Sequence, residues 1–305
     1  MLFCGYLWSP ILQHTTEILE ELNKTYKVYQ YFVYDFGENK EKHDEAVLNI
    51  YTTDDIAQEK VKNVKLTSMS PYPHKFVYFL FDIPDPKYRT KAGFNTKIST
   101  IVEAIKKQLR GKYMSRVKNY IHDIIIHVSD NETQTSQIAE IMKSYESFKT
   151  QEFMNLKTFL RYQYNGDLFT RADMLVRKYS IEQYLKNKDY NFALYTKMQS
   201  GRGVLRTHNA KKFKTLIESL ETSTFDVSNP ILYEGKYRLR DGSHRLSWFY
   251  HNRDIFIPCG VCDKKLGPGF INYGINTING VNKEEREAIQ NELNLLKNYV
   301  DDKYV

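Results

Sequence analysis

The sequence predicts an α/β protein in two parts: a mainly parallel sheet with helices on both faces over residues 1–150, and a smaller α+β domain over 170–265. Three observations lead there. Apolar runs of strand length alternate with stripes of helical spacing through the first half. A Pro- and Gly-punctuated succession of helix, two short strands, helix and strand occupies the second half. The chain of 305 residues is long enough for two ordinary domains, and 41% hydrophobic residues suffice for two cores.

The elements follow in order. Leu2 to Trp8 reads as a strand, and His14 to Leu22 as a helix with Ile18, Leu19 and Leu22 inward. Val28 to Phe36 is a second strand, followed by a polar helix to about Ile50. Phe76 to Ile83 is a third strand, broken by Pro84 and Pro86. Ile98, Ile101, Val102, Ile105 and Leu109 form a helical stripe. Asp123 to Val128 is a fourth strand leading into a helix with Ile138, Ile141 and Met142. This β-α alternation predicts a Rossmann-like sheet with ligands beyond the carboxyl ends of its strands.

Three segments are expected at those ends. They are Gly5 to His14, Asn95 to Thr100 and His127 to Thr135, which set His14, Ser99, Asp130, Asn131 and Gln134 at strand-to-helix turns where they can converge as a second cleft. Ser, Thr, Asp and Asn also favour these positions as ordinary helix caps. Residues 151–169 read as a connector, with Tyr164-Asn165-Gly166-Asp167 as a turn signal. A loop and a final helix carrying Ile289, Leu293 and Leu296 complete the chain over 266–305, the helix docking as a lid or strut.

The second part contains the most specific motif. A predicted helix with Phe213, Leu216, Ile217 and Leu220 on one face precedes the strand Ile231 to Tyr233, the Glu234-Gly235 turn and the strand Tyr237 to Leu239. The chain then turns at Asp241-Gly242-Ser243-His244-Arg245 into a helix whose buried side carries Leu246, Phe249 and Tyr250. A tight turn opening a helix directs unpaired N–H groups and the positive end of the helix dipole at one point, which suits a phosphate. Gly242 permits close backbone approach, Ser243 can cap, and Arg245 can fork onto phosphate oxygens. An ordinary β-turn with an exposed arginine would show the same five residues.

This order of elements with its Asp-Gly-Ser-His-Arg turn resembles the ParB/sulfiredoxin superfamily, over roughly residues 170 to 265. The resemblance implies a nucleotide phosphate at the turn. The turn is closer to the Asp-Gly-His-His-Arg form of the free-serine kinases than to sulfiredoxin, whose turn contains a cysteine. The kinases also carry a glutamate before the first helix, whereas no acid occurs here between Asp189 and Glu218. That interval holds Arg202 and Arg206, either of which can match the arginine that ParB proteins place in this loop. The expectation that follows is a nucleotide-dependent phosphotransferase using ATP or another nucleotide with Mg²⁺ and acting on the hydroxyl of a small molecule or saccharide. Asp241 would hold the metal or take the acceptor's proton, and His244 would orient it.

Two alternatives accompany it. One is a ParB-like nucleotide- or nucleic-acid-binding protein without turnover. The other is a nucleotidylyltransferase, because Gly5, Pro10 and His14 with Ile98-Ser99-Thr100 are similar to HIGH-type members of that group, although Ile11 and Gln13 replace two motif positions.

The net charge of +7 favours an anionic partner. Between Asp85 and Asp123 stands one acid, Glu103, against ten basic residues running from Lys87 to Lys118, a solvated face or a nucleic-acid surface. No apolar run reaches transmembrane length, and the N-terminus lacks a basic leader, so a cytoplasmic location is expected. Three cysteines are too few for a disulfide scaffold, and Cys259-Gly-Val-Cys262 lacks a second pair for a structural zinc site.

Overall fold

The computed structural model describes residues 1–54, 56–90, 97–118, 120, 123–164, 172–203, 208–222, 225–235, 238–262 and 278–301, with backbone only for 163 and 164. The chain divides into two compact units, one over Met1–Phe153 and one over Met154–Lys303. The expected terminal of the first domain, 150, falls inside a strand that ends at Asn155.

In the first unit, β1 (Leu2–Trp8) is followed by a 3-10 segment (Ser9–His14), α1 (Thr15–Thr25), β2 (Lys27–Asp35) and α2 (Lys40–Tyr51). Short helices α3 (Gln58–Lys60) and α4 (Thr67–Met69) flank a π-helical segment, Val61–Leu66. Then come β3 (Lys75–Asp82), the paired short strands β4 (Tyr88–Thr90) and β5 (Lys97–Ser99), α5 (Thr100–Tyr113), β6 (Ile126–Val128), α6 (Glu132–Lys143) and β7 (Lys149–Asn155). Ile98, expected in the helical stripe, lies in β5, and Ser99 caps α5 by accepting from the Val102 amide.

The strand order in this unit is β6-β1-β3-β2-β7. Its directions correct the parallel, Rossmann-like expectation: β1 is antiparallel to β3 and to β6, and β2 is antiparallel to β3. Strands β1 and β2 therefore run parallel to each other with β3 between them, and β3 and β6 do so around β1. The β1-to-β2 and β3-to-β6 connections are thus each split by an inserted strand, whereas the helical connection from β2 to β3 joins antiparallel neighbours. The misreading has a physical cause. Residues Phe3 to Trp8 of β1 are all buried and β3 is nearly so, which gives the continuous apolar runs usual in parallel sheets. Coverage of both faces produces that pattern whatever the strand direction. Gly5, expected both within the first strand and at the start of the segment that follows it, sits mid-strand opposite Phe79, whose ring would lie 2.2 Å from any added Cβ.

The second unit holds α7 (Leu156–Tyr164), α8 (Ala172–Lys186), α9 (Ala193–Gly201), α10 (Ala210–Thr222), β8 (Ile231–Glu234), β9 (Arg238–Asp241), α11 (Ser243–Asn252), β10 (Phe256–Val261) and α12 (Lys283–Asp301). Strand β8 pairs antiparallel with β9 and parallel with β10. Residues 156–164, expected within a connector, form a helix that buries Leu156, Phe159 and Leu160 in this unit's core. The same core takes Ile289, Leu293, Leu296 and Val300 of α12, so the last helix belongs to the body of the unit. A buried ion pair fastens it, with Lys178 of α8 donating to Glu292 at 2.8 Å. The expected turn at 165–167 and the Gly267-Pro-Gly269 loop lie outside the described residues.

Candidate phosphate-binding site

The Asp241 turn joins β9 to α11. Gly242 is the N-cap residue, at φ +90°, and a Cβ there would stand 3.2 Å from the Ile231 backbone and 3.3 Å from the Arg245 guanidinium. The glycine thus serves both the left-handed backbone and close packing. No side chain caps the helix. Ser243, expected to cap, is the first helical residue, and its carbonyl accepts from the Ser247 hydroxyl at 2.9 Å. The first-turn amides therefore face the turn without a side-chain acceptor.

A pocket of about 230 Å³ opens against this helix end, lined by residues that include Tyr195, His208, Lys212, Asp241, Gly242, His244 and Arg245. Arg245 donates to the Asn229 carbonyl and, at 3.1 Å, to Asp241 Oδ2. Behind the pocket, Arg177 of α8 is 1% exposed and donates to Asp173 at 2.6 Å, and its Nε has no partner. Arg202, at the C-terminal end of α9, stands 3.6 Å from the same Asp173.

The electrostatic consequence is visible in the two histidines. Burial, reinforced by Arg177, pushes His244 well below the ordinary imidazole range. Burial and the same arginines lower His208, whose ring lies 5.3 Å from that of His244. Both are neutral near pH 7, and the surrounding fixed positive charge belongs to Arg177, Arg202 and Arg245. Gln199 Nε2 donates to the Tyr195 hydroxyl at 2.9 Å, and that oxygen is also 2.9 Å from His244 Nε2. The phenol oxygen can accept from both neighbours or donate to Nε2, so the Tyr195–His244 contact serves either tautomer of the neutral imidazole.

Of the residues expected at this site, Asp241, Gly242, His244 and Arg245 line one pocket and Ser243 adjoins it. Arg202 acts on His244 through space. Arg206 lies outside the described residues. Asp173, Arg177, Tyr195, Gln199 and His208 were missed. One trace of them was legible: Asp173 and Arg177 sit at i,i+4 spacing in an otherwise largely buried helix, a costly placement that calls for a reason. Among the described residues no group of three or more His, Cys, Asp or Glu gathers to hold a metal, and Asp241 is the carboxylate on the described lining of this pocket.

The second expected cluster assembles in part. The Ser99 amide donates to the Asp130 carbonyl at 3.0 Å, the Asn131 side chain caps α6 by accepting from the Gln134 amide at 2.9 Å, and the Gln134 carboxamide accepts from the Asp130 amide. The hydroxyl of Ser99 and the carbonyl of Asn131 are thus used as caps. His14 does not join them. It lies beside Glu17, Arg116 and Tyr113, because the 3-10 segment after β1 carries it there. Half of the ten basic residues of the 87–118 region are paired with acids: Arg89 with Glu103, Lys106 with Asp130, Arg110 with Asp123, Lys112 with Glu21 and Arg116 with Glu17. Lys91, Asn95 and Thr96 lie outside the described residues. No helix among those residues is long and apolar enough to cross a membrane. No protein-family model matches the chain, and no curated protein matches it either.

Proposed function

We propose that the second unit holds the phosphates of a nucleotide at the Asp241–Arg245 turn, and that the chain is a nucleotide-dependent phosphotransferase acting on the hydroxyl of a small molecule or saccharide. The observation that carries this reading is an uncapped helix N-terminus at Gly242 with Arg245 on the pocket lining beside it, and with Arg177 and Arg202, both paired with Asp173, close enough to act on His244. A pocket of about 230 Å³ suits a phosphate chain, with base and ribose outside it. Phosphoryl transfer asks a protein chiefly for positioning and charge stabilisation, which fixed guanidinium groups and amides supply. His244, neutral and held by the Tyr195 hydroxyl, adds a polar group to the lining. Asp241 is the one carboxylate on the described lining, and fits as the group that receives the acceptor's proton. Mg²⁺ takes one or two carboxylates together with substrate phosphates and water, so Asp241 can serve it without a preformed cage, and the metal would neutralise phosphate charge. The likeness of the turn to the ParB/sulfiredoxin superfamily points the same way.

Calorimetry with ATP, ADP, CTP and GTP in Mg²⁺, on wild type and Arg245→Ala, tests the binding. Saturable binding weakened about tenfold or more in the variant is the expected result, since a hydrogen bond to a charged group contributes about 1.5–3 kcal/mol. Equal affinity in both proteins would remove the turn from the reading. Turnover is then assayed against a panel of hydroxyl-bearing acceptors, and Asp241→Asn is expected to abolish it with binding retained.

The pairing of Asp241 with Arg245 favours a second reading, a ParB-like nucleotide switch, because Asp241 Oδ2 is already engaged by the guanidinium at 3.1 Å. Nucleotide binding without turnover on any acceptor would select it.

A further inference from the structure

The first unit carries a cleft of its own, of about 820 Å³, within the range of small-molecule sites. Its wall contains polar atoms that the fold leaves unsatisfied. His127 on β6 is 4% exposed, and its Nε2 has no hydrogen-bond partner, the nearest carboxylate oxygen being Asp54 Oδ2 at 3.6 Å. The hydroxyl of Tyr51, 1% exposed, is also without a partner, and its ring lies 4.8 Å from that of His127. Buried polar groups are nearly always satisfied, and an exception lining a cavity is where a ligand atom belongs.

The same cleft concentrates charge. Five cations line it against four carboxylates, and one of those carboxylates, Glu103, is also bound by Arg89. Lys106 pairs with Asp130 at 2.6 Å, and Arg110 pairs with Asp123 at 3.1 Å and donates to the Ile126 carbonyl at 2.9 Å. Lys65, only 7% exposed, lies 5.1 Å from the centre of the Tyr51 ring and donates to the Asp123 carbonyl at 3.4 Å. Burial pushes its amine down to about 8, and burial against the pull of Lys106 pushes the Asp54 carboxyl up to about 6. Holding several ionisable groups this deep is costly for folding, and such groups cluster at functional sites.

We propose that this cleft binds a small hydroxylated phosphate monoester, a sugar or polyol phosphate, with its phosphate among Lys65, Lys106 and Arg110 and a hydroxyl between Asp54 and His127 Nε2. The phosphate supplies the negative charge that the lining lacks. The hydroxyl can accept from His127 Nε2–H and donate to the Asp54 carboxylate, satisfying both with one group. This site uses no residue of the Asp241 turn.

The test is calorimetry of the full chain with ribose 5-phosphate, ribose and inorganic phosphate, on wild type, Arg245→Ala and Lys65→Met. Alongside it, acetylation of lysines in wild type is read by mass spectrometry with and without ribose 5-phosphate. Expected are saturable binding of ribose 5-phosphate, tighter than either fragment, undiminished in Arg245→Ala and weakened about tenfold or more in Lys65→Met, with Lys65 protected from acetylation. Absence of saturable binding to wild type at millimolar concentration would overturn the proposal. Loss in Arg245→Ala with retention in Lys65→Met would overturn it too, by assigning the phosphate to the turn. Should Lys65→Met not fold, wild-type protection decides: saturable binding that leaves Lys65 unprotected refutes the site.

Discussion

As proposed, the two units would hold an anion in opposite ways. The second unit uses backbone: a left-handed glycine, an uncapped helix end and arginines whose charge cannot be titrated away. The first unit uses side chains alone, and places lysine, aspartate and histidine in surroundings that shift their protonation. The difference teaches what each site costs. Backbone amides at a helix end are present for structural reasons and add little strain, whereas a buried lysine or aspartate opposes folding at every pH where it is charged. Fixed charge suits a site that must bind across a wide pH range, and shifted charge suits one whose groups exchange protons.

Substitutions can break this contrast. The largest effect is expected from Arg177→Met, which takes from the buried Asp173 its 2.6 Å partner while Arg202 stays at 3.6 Å, and should cost about 3–5 kcal/mol in urea denaturation. The double variant Asp173→Asn/Arg177→Met should recover much of that loss; if it does not, the pair is not the source. Next, Gly242→Ala should cost roughly 1–3 kcal/mol and weaken nucleotide binding, since it combines positive φ with a tight contact. Gly235→Ala, also at positive φ but facing open space, should cost only about 1 kcal/mol and leave binding intact.

Opposite signs are expected in the first unit. Lys65 is lowered from 10.5 to about 8 on folding, so its contribution is most favourable above the unfolded value and falls as pH drops toward 8. Lys65→Met should therefore raise stability by roughly 1–3 kcal/mol at pH 7, with a smaller gain at pH 10, while lowering ligand affinity. Asp54 is raised from 3.8 to about 6, so the stability of its protonated form is full below the unfolded value and lost as pH rises through about 6. Asp54→Asn should flatten stability between about pH 4 and pH 6, a change of about 1–2 kcal/mol seen in denaturation midpoints across that window. A stability gain coupled to loss of binding is the mark of a site that folding alone would not have built.

Local elements were largely legible. The stripe of Val102, Ile105 and Leu109 marked α5, and the apolar runs marked β1, β2 and β3, because periodicity is a property of consecutive residues and survives any tertiary arrangement. The Asp241–Arg245 turn was legible for the same reason, since Gly242 and the residues around it are neighbours in the chain. Strand direction was not, because β1 and β3 are brought together by pairing across some seventy residues, and both faces of each are covered whichever way they run. His14 was misplaced because a single 3-10 segment reorients everything after it. Sequence by itself determined which segments are helix or strand and where the backbone must accept a glycine. Only the tertiary structure decided that Arg177 and Arg202 stand behind His244, and that Asp54, Lys65 and His127, drawn from three separate segments, share one cleft. Burial and the electrostatics of close charges depend on distances through space, and the order of residues does not contain them.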